Sequence, residues 1–172
     1  MNIKETIAVI NKMQADGVIA KYAIGGAVGA TFYLEPADTQ DVDIFITLEA
    51  PVGQSFVNLT PIYDYLKSQG CQIAGAHIVI AGWPVQFLPA DSPLLKEALE
   101  KSLGKDIDGI PVRVFAPEYL AAIALQLGRT KDKLRLLQFV EANVLNETDF
   151  SAILARHKLL ENWSQFKRQM GG

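Results

Sequence analysis

Sulfur and histidine are scarce in this chain: 172 residues carry one cysteine, Cys71, and two histidines, His77 and His157. A lone cysteine excludes an intrachain disulfide. The N-terminal stretch MNIKETIAVINKM is polar and periodic, without the apolar core of a signal peptide, and the two features together predict a reducing, cytoplasmic setting. Long hydrophobic runs are absent too. None approaches the roughly 20 residues of a membrane span, so no membrane partner is expected. Excess charge of one sign is also missing. With 16 basic and 19 acidic residues the net charge is -3, which gives no bulk argument for coating nucleic acid or an anionic surface. No G-x-G-x-x-G can be threaded through GGAVGA, and neither a P-loop nor a G-x-S-x-G occurs. Neither histidine has a carboxylate or cysteine at ligand spacing along the chain, so no metal or triad role is expected of them.

What is present is a core. Hydrophobic residues make up 49% of the chain and charged ones 20%, as in a well-packed globular domain. Ile3, Ile7, Ile10 and Met13 recur at helical spacing, which predicts a helix from Ile3 to Ala15 with Asn2 as N-cap and Gly17 as stop. A strand is predicted from Ile19 to Ile24, a short helix from Ala27 to Leu34 and a strand from Asp41 to Leu48. Residues 54–58 are ambiguous. Thr60-Pro61 reads as an N-cap and first-turn proline opening a helix that ends at Gly70. Cys71 to Leu88 reads as two or three strands turned at Gly75 and at Ala81-Gly82. Asp91-Ser92-Pro93 opens a helix closing near Gly104, and Asp108-Gly109 is a hairpin signal leading into a strand from Ile110 to Phe115. Helices follow at Pro117–Leu127, Thr130–Ala142, Asp149–Arg156 and Leu159–Met170. The pattern predicts an α/β fold with a mixed sheet over residues 1–116 and a helical C-terminal region over 117–172.

Two short features inside this pattern call for chemistry. Gly25 and Gly26 end an apolar run, and after fourteen intervening residues Asp41 and Asp43 flank Val42 inside another. In a strand, alternate side chains share a face, so the two carboxylates point the same way from backbone positions roughly 6.6 Å apart. They repel each other unless a cation or proton lies between them. Mg²⁺ (or Mn²⁺) suits such a pair, since a hard ion takes one or two carboxylates and completes its shell with water and phosphate oxygens. Glycines after a strand admit a ligand close to the backbone. The structural alternatives are an edge strand bearing two solvated acids and a plain tight turn.

The stretch YAIGGAVGATFYLEPADTQDVDIF resembles the signature of the nucleotidyltransferase superfamily, whose fold is that of the catalytic domain of DNA polymerase β. It most resembles the minimal bacterial members, including those of abortive-infection and toxin–antitoxin systems. The later LGRTKDKLRL is similar to a segment of the same proteins. The resemblance implies that Gly25 and Gly26 contact the β- and γ-phosphates, that Asp41 and Asp43 hold Mg²⁺ and are the catalytic pair, and that Arg129 and Lys131 neutralise phosphate charge with Asp132 as positioning partner. The implied reaction moves a nucleoside monophosphate from a triphosphate to an acceptor hydroxyl on a small molecule, a protein or an RNA end. Two positions depart from the family pattern. Gln86 stands where a third carboxylate is frequent, with Asp91 as a possible substitute or as the cap of the next helix, and Gln126 stands where a lysine is common. A catalytically weak nucleotide-binding or interaction protein retaining the fold is the alternative. The basic run from Arg129 to Arg135 also reads as a solvated helix face.

Overall fold

The computed structural model describes residues 2–36, 38–39, 41–48 and 58–171; of the ambiguous segment 54–58, only Asn58 falls among them. The described residues form eight helices and seven strands: α1 Ile3–Ala15, β1 Lys21–Ile24, α2 Gly26–Ala30, β2 Val42–Thr47, α3 Thr60–Ser68, β3 Gln72–Ala74, β4 His77–Ile80, β5 Trp83–Pro89, α4 Pro93–Glu100, β6 Leu103–Ile107, β7 Ile110–Val114, α5 Pro117–Leu127, α6 Thr130–Ala142, α7 Glu147–Arg156 and α8 Leu160–Gln169. The strands make one sheet in the order β3-β4-β5-β2-β1-β7-β6. The pairs β5–β2 and β1–β7 are parallel and the other four antiparallel, the mixed sheet the pattern predicts.

Alternation splits the core into two layers. Tyr22 and Ile24, Val42, Ile44 and Ile46, and Val85 and Phe87 point to one face, where they bury the apolar sides of α1 and α3. Ala23 and Phe45 point to the other, against α2, α4 and the four C-terminal helices. Among those helices α5 is the central one, with Tyr119, Leu120, Ala121, Ala122, Ala124 and Leu125 all buried. Gly128, at φ +65°, ends it in the left-handed conformation and turns the chain into α6.

Several boundaries differ from the sequence reading for identifiable reasons. The Asn2 side chain caps α1 by accepting from Glu5 N–H, as predicted, but Thr60 does not cap α3. It is the first helical residue, the capping position is Leu59, and Asn58 Oδ1 accepts the Thr60 N–H. Ser92, not Asp91, caps α4. That helix ends at Glu100, and residues 103–107 turn back as β6, pairing with β7 on the far edge of the sheet. Four of the five β6 residues are exposed, so the strand has no apolar alternation to betray it. The predicted helix after Gly26 is a short one, Gly26–Ala30.

Candidate functional site

The site begins where β1 ends. Gly25 N–H donates to the Asp43 carbonyl at 3.0 Å, extending the β1–β2 ladder by one rung beyond the Ile24–Ile44 pair. Gly26 then takes φ +59°, a conformation that costs an ordinary residue about 1–2 kcal/mol. A Cβ at Gly26 would overlap Oδ2 of Asp43, and one at Gly25 would overlap the Phe45 ring. The glycines therefore do more than turn the chain: they let it pass directly against the second aspartate.

Asp41 and Asp43 lie on the sheet face opposite the buried Val42 and Ile44, and both open into one cavity of about 420 Å³. On the neighbouring strand Gln86 stands in register with Asp43, between Val85 and Phe87, which turn into the other layer. One strand further out Ile78 pairs with Val85, so His77 continues the row Asp43–Gln86 across the sheet. Its Nε2 lies 3.0 Å from Asp41 Oδ2. His157 likewise meets a carboxylate, Glu97 Oε2, at 3.0 Å. Spacing along the chain offered neither histidine an acidic partner, and the fold supplies one to each. The pairs lie 36 and 60 residues apart along the chain and are made by strand order and helix docking, to which local spacing is blind.

The opposite wall is cationic. Asp132, 1% exposed, accepts from the backbone N–H of Arg129 at 3.3 Å and from its guanidinium, and lies 3.9 Å from Arg135. This clasp starts α6 and fixes the Arg129 side chain, whose affinity for its proton rises chiefly through the Asp132 hydrogen bond. Lys131 and Arg135, one helical turn apart, line the cavity together with Arg129. Lys133 does not join them, because its Nζ reaches Gln169 on α8 at 3.3 Å. The charge run thus divides by helical phase. Arg135 joins the predicted Arg129 and Lys131, and the i, i+4 spacing from Lys131 was the available signal.

Burial, followed by repulsion from Asp41, pushes the Asp43 carboxyl above the usual carboxylate range, while Lys131, Arg135 and His77 pull the other way. Among the described residues no hydrogen bond or ion pair reaches that carboxylate. The remaining wall is apolar: Phe45 and Phe115, with ring centroids 4.9 Å apart, and Leu88, Leu120 and Ile123. Nothing in the sequence marked these as more than core. Gln126 sits exposed at the rim, and Asp91 is exposed and does not line the cavity.

No family model and no curated protein matches the chain. Solved structures do. One is an antigenic nucleotidyltransferase-like protein from Paracoccidioides brasiliensis, 17% identical, with a TM-score of 0.55 over 95% of this chain and 91% of that one. Another is ANT(2")-Ia in complex with adenylyl-2"-tobramycin, 14% identical, with a TM-score of 0.51 over 89% and 97%. A solution structure of the same resistance factor gives a TM-score of 0.51 at 12% identity. At such identities the likeness concerns architecture, and the architecture is that of nucleotidyltransferase-like proteins. Among the described residues no helix is long and apolar enough to cross a membrane.

Proposed function

We propose that the protein is a Mg²⁺-dependent nucleotidyltransferase, moving a nucleoside monophosphate from a triphosphate to an acceptor hydroxyl. The observation that carries this reading is the pairing, in one cavity, of Asp41 and Asp43 with Lys131 and Arg135 facing them. Two converging carboxylates, one of them partly buried without a hydrogen-bonding partner, call for a cation. The cationic helix face calls for an anion, and a metal–triphosphate answers both.

The donor set fits a hard divalent ion. Among the described residues no group of three or more His, Cys, Asp or Glu side chains forms a closed metal cage. Two carboxylates with room for phosphate and water is the open arrangement that Mg²⁺ takes. Asp41 and Asp43 would hold it. When bound, Mg²⁺ offsets charge on the phosphates and helps to orient in-line attack. Gly26 leaves its backbone and the Asp43 carboxylate accessible side by side. Lys131 and Arg135 balance phosphate charge, and Arg129, tethered by Asp132, lends its charge at a fixed place. In the reaction the acceptor oxygen bonds to the α-phosphorus and the bond to pyrophosphate breaks. Gln86 carries a neutral amide that takes no proton, so the acceptor's proton passes to water and transfer is slow.

Gln86 also supports a second reading, a module that binds the nucleotide without turning it over. Calorimetry of ATP with Mn²⁺, paired with transfer of α-labelled nucleotide to protein, RNA and small-molecule acceptors, separates the two. Wild type binds, and Asp43→Asn loses affinity by more than the roughly 10–100-fold typical of losing an outer partner of a metal ligand. Equal binding by wild type and Asp43→Asn overturns both readings. Transfer seen only in Gln86→Asp selects the binding module.

A further inference from the structure

Gln86 leaves the row across the sheet without a carboxylate beside Asp43, yet the row does not end there. The β4–β5 pairing puts His77 next in line, half-buried, with Nε2 3.0 Å from Asp41 Oδ2. We infer that His77 is a positioning residue for the metal site: from the third strand of the row it holds the Asp41 carboxylate beside Asp43.

The chemistry of the contact fixes its direction. An ionised carboxylate only accepts, so the ring donates through Nε2–H. A nitrogen that carries that proton has no lone pair for a metal, which excludes Nε2 as a ligand and leaves it an orienting role. Asp41 needs such help more than Asp43 does. It precedes β2, whose ladder begins at Val42, so its backbone lies outside the paired strand, and its side chain is 41% exposed. Among the described residues His77 is its only hydrogen-bonding or ion-pairing partner. A free Asp41 would swing away from Asp43, since like charges separate. His77, anchored in a strand whose neighbours Ile78 and Ile80 are buried, opposes that swing. The placement requires the order β4-β5-β2, in which the chain returns from β4 through a tight turn to put β5 between the histidine and the aspartates.

This inference rests on the metal reading of Asp41 and Asp43, and its test separates the two. Mn²⁺ affinity in the presence of ATP is measured by calorimetry for wild type, His77→Ala, His77→Gln and Asp43→Asn, together with thermal melting of each metal-free protein. His77→Ala is expected to weaken Mn²⁺ binding about tenfold while its melting temperature stays near that of wild type. His77→Gln, which keeps an N–H donor, restores most of the affinity. An unchanged Mn²⁺ affinity in His77→Ala, with Asp43→Asn abolishing binding, overturns the positioning role alone. A wild type that binds no Mn²⁺ with ATP overturns the metal reading as well. Equal weakening in the alanine and glutamine variants overturns the claim that the donated hydrogen bond is what counts.

Discussion

Glu97 and Asp43 are carboxylates of one protein held in opposite states. Glu97, on α4, accepts from Arg156 through both oxygens, from His157 at 3.0 Å and from Tyr119 at 2.9 Å. Arg156 foremost, with His157 and Tyr119 acting against burial, holds its carboxyl down at about 2. Asp43 has a like charge for its neighbour, a glycine against its oxygen, and cations across an open cavity; burial pushes it up. The first cluster is complete and ties α5 and α7 to α4. The second is incomplete: among the described residues no donor or cation bonds to the Asp43 carboxylate, and the cation proposed above is what would balance it. A carboxylate with every lone pair used is structural; one kept short of partners at evident cost is available to a ligand.

The contrast predicts effects that differ in kind as well as size. The largest falls on ligand binding. Gly26→Ala places a methyl where Asp43 Oδ2 lies and should cost more than tenfold in Mn²⁺–ATP affinity by calorimetry. Gly70→Ala is the control, because its φ of +84° imposes similar backbone strain with nothing within 4 Å of the new carbon. If the two variants bind alike, the close approach at Asp43 is irrelevant to the site.

Next comes stability at the completed cluster. A carboxyl shifted from 4.5 to about 2 is worth about 3 kcal/mol by linkage. Arg156 is 49% exposed, and solvent screening reduces this to about 1–2 kcal/mol. Because the folded value is depressed, that stability is present above the unfolded carboxyl's range and lost as pH falls toward 2. Glu97→Gln should therefore lower the denaturation midpoint at pH 7, converge with wild type near pH 2, and leave nucleotide affinity unchanged. A loss of ATP binding would show that the two clusters are not independent.

The smallest effect has the opposite sign. Asp43 is raised in the folded state, so its ionisation opposes folding, and the cost appears as pH climbs through and above the usual carboxylate range. Metal-free Asp43→Asn should melt slightly higher than wild type at pH 7, with the gain vanishing in acid. A lower melting temperature at pH 7 would mean that Asp43 serves the fold after all.

How far the sequence spoke depends on whether the signal was local. The bounds of α1, α5 and α6 follow from apolar spacing, Asn2, Pro117 and Gly128, and the structure agrees residue for residue. Alternation predicts the shared face of Asp41 and Asp43, although β2 begins only at Val42 and Asp41 flanks it, and the same rule on β5 gives the face of Gln86. Contacts made by strand order left no local trace: His77 meets Asp41 only because β5 lies between their strands. β6 escaped because an exposed edge strand, Leu103-Gly104-Lys105-Asp106-Ile107, has the composition of a loop. Arg135 was legible as charge, but its direction depended on how α6 docks. The apolar wall at Phe45 and Phe115 looked like core, because a pocket wall and a core differ only in whether something is packed against them.

The distribution of the site along the chain also sets an order in time. Asp41 and Asp43 leave the ribosome before Arg135, which emerges about 90 residues afterwards, a delay of roughly 5–18 s at ordinary synthesis rates. Until α6 docks, the nascent sheet presents two repelling acids without their cationic wall. The unfinished polypeptide therefore has only half of what the proposed nucleotide grip needs, and the docking of α6 decides when that grip would first exist.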